Sequence, residues 1–143
     1  MYHRVPSLDV LLKSVHVTAN LFWIGSIVAV GLLLTAPLGS ARERGALARH
    51  IYQRLANPSF FVSFTAAAVL LVLNLRYYFV VTHFMHAKLL LVIAVIALHH
   101  VLGARAQRLA AGTLPDAASA SKLTLALTLL SVGAAWLALT EPF

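Results

Sequence analysis

The chain has no cysteine, and only four acidic residues and two methionines among its 143 residues. The missing thiol excludes disulfides, thiolate metal sites, iron–sulfur clusters and covalent haem attachment. With only Met1 and Met85 as sulfur donors, a soft path for copper(I) is disfavoured. Charge is scarce altogether. Charged residues make up 10% of the chain, where a soluble domain carries roughly 25%.

Apolar residues fill that gap, at 61% of the sequence. They fall into runs long enough to cross a bilayer, which predicts an integral membrane protein with the lipid bilayer as its first partner. The opening MYHRVPSLD holds an acid and a proline, and no small-residue cleavage site follows the first apolar run at the usual distance. The first segment is therefore expected to stay in the mature protein. The net charge of +7 does not point to nucleic acid. The basic residues form no stripe and do not interleave with stacking aromatics. They cluster in loops beside apolar segments, as the positive-inside rule describes.

The pattern predicts a single transmembrane domain over 1–143, an all-α four-helix bundle with spans near 8–34, 58–76, 79–103 and 122–140. Ser7 or Asp9 caps the first span and Pro37–Gly39 stops it. Segment 42–56 reads as amphipathic through Leu47, Ile51 and Leu55. Asn57-Pro58 suits a helix start, the alternative being one helix from about Glu43 kinked at Pro58. Gly112, Pro115 and Asp116 mark a turn in a polar connection from Arg105 to Ser121, and Pro142 ends the last span. Arg42, Arg44, Arg49 and Arg54 lie in one loop, Arg105, Arg108 and Lys122 in another, against Arg4 and Arg76 on the other side. This asymmetry predicts cytoplasmic arginine loops and both termini on the non-cytoplasmic side, as in a bacterial inner membrane.

Ionisable groups inside the spans stand out, since each costs about 2.5–3.5 kcal/mol on insertion scales. In the first span Asp9, Lys13, His16, Asn20 and Trp23 recur at i+4 and i+3, on one helical stripe that should face the bundle interior. In the third span His86 sits about seven residues in, and His16 about eight into the first, so the two imidazoles share a depth. Paired histidines at one depth across a bundle suit axial ligation of a haem iron, which makes His16 and His86 candidate metal ligands. Lys13, Asn20 and Trp23 would line the same cofactor site. His83, one turn before His86, offers a chelating pair for zinc or copper(II), with no third acidic or thiolate ligand nearby in sequence. Lys88 is about 200° around the helix from His86 and shares a face with His99. It calls for an anionic ligand, such as a haem propionate or a substrate carboxylate, or for a partner such as Asp9 or Asn74. His99 and His100 close this span beside Arg49, His50 and Arg54, as an interfacial basic belt or a second ligand position. Thr124, Thr128, Ser131 and Ala135 make a small-residue face for another helix or a second subunit.

Three stretches resemble the HemJ-type protoporphyrinogen oxidases and the wider HemJ/CopD-like membrane group. LLKSVHVTANLFWIG carries Leu12-Lys13, His16 and Trp23; ARHIYQRLANP carries Arg49, Tyr52 and Pro58; HAKLLLVIAVIALHH carries His86, Lys88, Leu89, Leu91, Val92 and His99. Glu141-Pro142 is similar to a family ending. The resemblance implies a b-type haem held by membrane histidines and oxidation of protoporphyrinogen IX to protoporphyrin IX. It implies His16 as the first-helix family histidine, and Arg49, Lys88 and His99 as the polar functional positions. Competing expectations are a non-catalytic haem-b protein exchanging electrons with quinone, a CopD-like copper transport protein, and a small structural subunit.

Overall fold

Ser7 opens the first helix, α1 (Leu8–Thr35), by accepting from the Val10 N–H at 3.4 Å. Asp9 is not the cap. It lies in the first turn and holds Lys13 at 2.7 Å. This is a computed structural model, and it describes residues 7–81, 84–114 and 117–140. Arg4, His83, the Pro115-Asp116 turn, Glu141 and Pro142 lie outside the described residues.

The chain leaves α1 through Ala36 in extended backbone ahead of Pro37, and turns at Gly39 with φ 56°, a left-handed conformation open to glycine. Ser40 and Glu43 then form a capping box. The Glu43 N–H donates to Ser40 Oγ at 3.2 Å, and the Ser40 N–H donates to Glu43 Oε2 at 2.7 Å. They start α2 (Ala41–Ile51).

No break occurs at Asn57-Pro58. Helix α2 runs through a π turn (Tyr52–Ala56) straight into α3 (Asn57–Leu73), as one helix of 33 residues. The helix start expected at Asn57 is thereby corrected. Asn57 is helical, at φ −68° and ψ −48°, and its N–H reaches back to the Tyr52 carbonyl. Spacing explains the π turn. Ala48, Tyr52, Ala56 and Phe60 are all buried, each four residues from the last. In a pure α-helix such a row drifts about 40° per step. A wider turn takes that drift back and keeps the row on one face. It also falls just before Pro58, which has no N–H to give to the preceding turn.

Helix α4 (Phe84–Ala110) continues past Gly103, where the sequence suggested an end. Its buried row of Val95, His99, Leu102, Ala106 and Leu109 goes on packing, the last part against α2. Gly45 allows that approach. A Cβ there would lie 2.6 Å from the Leu109 carbonyl carbon. Gly112, at φ 73°, ends the helix, with the Thr113 N–H bonded to the Arg108 carbonyl at 3.0 Å. Helix α5 (Ala120–Thr140) buries Thr124 in a notch left by Gly31 of α1. Thr128 and Ser131 bond carbonyls of their own helix, and Ala135 is exposed.

Helix α1 is the hub, packing on α2, α3, α4 and α5. Helix α4 packs on α2 and α5. Helix α3 packs along α1 but not closely on α4, although the two are consecutive and antiparallel. Among the described residues four helices are long and apolar enough to cross a membrane: Leu8–Thr35, Ala41–Leu73, Phe84–Ala110 and Ala120–Thr140. Their outward faces are greasy, with Leu90, Ile93, Leu129 and Leu139 all exposed. Such surfaces suit hydrocarbon rather than water. The fold is an all-helical membrane bundle, with no strand among the described residues.

Candidate functional site

Two polar clusters lie along the inward stripe of α1. The first centres on His16, half-buried between α1 and α3. Its Nδ1 is 3.0 Å from the Ser63 carbonyl oxygen, which can only accept, so Nδ1 carries the proton. Ser63 Oγ is also 3.1 Å from Nδ1 and donates its own hydrogen to Asn20 Oδ1 at 2.8 Å. Nε2 therefore holds a lone pair, which accepts from Asn20 Nδ2 at 3.2 Å. Lys88, half-buried on α4, lies close enough for its charge to act on the His16 ring. This cluster joins α1, α3 and α4 where α3 and α4 stand apart.

An imidazole with Nδ1–H tied to a backbone carbonyl and Nε2 holding a lone pair has the form in which histidine binds metals. Among the described residues the Asn20 amide alone competes for that lone pair, and rotation of one side chain releases it.

The second cluster lies further toward the arginine-bearing end. Trp23 donates its indole N–H to His99 Nδ1 at 3.1 Å, across α1 and α4. His99 has no exposed surface, and its Nε2 has no hydrogen-bond partner among the described residues. Because Nδ1 accepts, the neutral ring carries its proton on Nε2. Tyr52 and Phe60 lie over His99 with ring centroids 5.0 and 5.2 Å away. The Tyr52 hydroxyl bonds His100 Nδ1 at 3.3 Å, and the ring fills the space over Gly103.

The remaining candidates are placed as follows. Lys13 is on the surface with Asp9, and Asn74 bonds the Leu70 carbonyl. Trp23 serves His99 rather than His16. Arg49 is exposed on α2. His86 is exposed, with its ring edge-on to Phe79 at 5.2 Å. It lies about half a turn of helix from the row of Lys88 and His99. No group of three or more potential metal-ligating His, Asp or Glu gathers among the described residues.

Ser63 and Phe60 escaped the sequence reading, and Tyr52 entered it only through the resemblance. The four-residue recurrence from Ala48 to Phe60 and a serine within an apolar span were the available signals. The chain matches no family model, no curated protein and no solved structure.

Proposed function

We propose that the chain is a b-type haem-binding membrane oxidoreductase that takes protoporphyrinogen IX to protoporphyrin IX, as its resemblance to HemJ-type proteins suggests. The observation that carries the reading is the hydrogen-bond pattern at His16. Nδ1–H is fixed by the Ser63 carbonyl at 3.0 Å, and the Nε2 lone pair is held only by an amide at 3.2 Å. His16 supplies one axial ligand in this reading; the second is open, because His86 is exposed on α4 about half a turn from Lys88, the α4 residue beside His16. A bound haem would relay the six electrons of this oxidation one at a time to an external acceptor of the quinone class, with six protons released. The chain's own residues orient it: Asn20 yields Nε2, and Lys88 offers an ammonium to a propionate or a substrate carboxylate. The loose meeting of α3 and α4 gives a bilayer-soluble tetrapyrrole a way to this cluster from lipid. The orientation proposed puts both termini outside and the arginine loops in the cytoplasm of a bacterial inner membrane.

An optical spectrum of detergent-purified protein, oxidised and then dithionite-reduced, tests the reading. A sharp Soret band with resolved α and β bands is expected, and His16→Ala should lose it. Full haem occupancy in His16→Ala would overturn the assignment. A six-coordinate spectrum that becomes five-coordinate in His86→Ala would place His86 as the second ligand. Growth of a strain lacking protoporphyrinogen oxidase, restored by the wild type and not by His16→Ala, is expected if the chain is the enzyme rather than an electron carrier.

A further inference from the structure

The buried N–H of His99 is the feature that the His16 cluster leaves unexplained. A donor with no exposed surface and no partner is uncommon, because desolvating it without a bond is unfavourable. Nδ1 is occupied by Trp23, so Nε2–H lies on the ring edge away from that bond. Aromatic rings surround the His99 ring: Tyr52, Phe60 and His100, with Trp23 on the Nδ1 side. Among the described residues no carboxylate, Lys or Arg is bonded to these rings, so the ligand the N–H fits is neutral and accepts a hydrogen bond. Ring walls favour a flat, conjugated ligand that stacks or meets them edge-on. One edge of the ring cluster reaches the surface. His100, the next residue, is exposed, with its ring 4.9 Å from that of His99 and 5.9 Å from Phe60. Helices α3 and α4 do not pack closely on each other.

We infer that the cage of Trp23, Tyr52, Phe60, His99 and His100 is a quinone-binding site. One ring carbonyl accepts from His99 Nε2–H, and the quinone ring lies against the aromatic walls after Phe60 or His100 moves aside. The inference does not depend on haem at His16, and it is tested on haem-free protein.

Quinones quench indole emission on contact, and Trp23 is part of the cage. Trp136, the other tryptophan, is exposed on α5 and is removed as Trp136→Phe. Haem-free Trp136→Phe protein in nanodiscs is titrated with a short-chain ubiquinone. Saturable quenching of Trp23 is expected. His99→Phe in the same background keeps a ring but removes the donor, and should raise Kd about tenfold, as loss of one hydrogen bond implies. Infrared difference spectra report the same bond independently, since the bound carbonyl stretch should move to lower wavenumber in the parent and not in His99→Phe. If His99→Phe does not fold, Phe60→Ala, which opens the wall and keeps the donor, should retain the carbonyl shift. Non-saturating quenching, or saturation equal in parent and His99→Phe with an unshifted carbonyl, would overturn the site and leave a buried water as the partner of Nε2–H.

Discussion

Replacing Gly103 by alanine puts the smallest possible side chain into the most crowded spot near His99. A Cβ built there falls onto the Tyr52 ring, with Cε1 only 2.8 Å away. The ring cannot easily retreat. It lies over His99 at 5.0 Å, and its hydroxyl is bonded to His100 at 3.3 Å. Overpacking of this kind typically costs about 1–3 kcal/mol. Glycine to alanine inside a helix otherwise gains about 0.8–1.0 kcal/mol. The sign of the effect should therefore depend on Tyr52. In the wild type the gain offsets part of the cost and Gly103→Ala should destabilise by up to about 2 kcal/mol, whereas in Tyr52→Ala it should stabilise by up to about 1 kcal/mol. Reversible unfolding in mixed micelles, followed by tryptophan emission, gives all four corners of the cycle. Trp23, one ring from Tyr52 through His99, should also change its emission in the single variant. An equal effect of Gly103→Ala in both backgrounds would refute the argument, because the Tyr52 ring would then not be what occupies the notch.

Asn20→Ala removes the only amide competing for His16 Nε2 and leaves the Ser63 carbonyl on Nδ1. Haem retention on dilution should hold or improve, whereas weaker retention would make Asn20 part of the ligand pocket. Trp23→Phe strips His99 Nδ1 of its donor in a fully buried setting, and a loss of about 1–3 kcal/mol in thermal unfolding is expected. Adding His99→Leu to that variant should recover part of the loss, since neither polar partner then remains unpaired. Ser40→Ala opens the capping box, and the amides of the first turn of α2 should exchange faster while those of α4 stay unchanged.

The four spans and the polar stripe of α1 were legible because both are local. Span length follows from apolar runs, and the inward faces of His16, Asn20 and Trp23 follow from helical spacing. The same stripe puts Asp9 and Lys13 inside as well, yet they lie at the surface, where the first turns of α1 have no helix over them to be buried by. Lys88 and His99 were placed on one face for the same reason, and that face is the buried row of α4. The partners across helices were not legible. Ser63 and Phe60 sit in a helix that is apolar all round, where periodicity carries no directional signal. The end of α4 was read at Gly103 because glycine and two arginines look like a boundary. The helix goes on because Gly103 receives a ring from α2, which only the tertiary packing reveals. Likewise Asn57-Pro58 has the composition of a helix start, yet the chain before it is already helical.

The widened turn at Tyr52–Ala56 sets the rotational phase between the two halves of a long helix. Tyr52 on one half packs on His99 of α4, while on the other Ser63 bonds the α1 histidine and Phe60 lies between Trp23 of α1 and His99 of α4. Deleting Leu55 would remove the surplus residue and restore an ideal helix. Seven α-helical steps from Tyr52 to Phe60 come to about 700°, so Phe60 and Ser63 would stay within about 20° of their present faces. The irregularity therefore takes up one residue while both clusters keep their aim, and the span should tolerate that deletion where it would not tolerate one elsewhere in the helix.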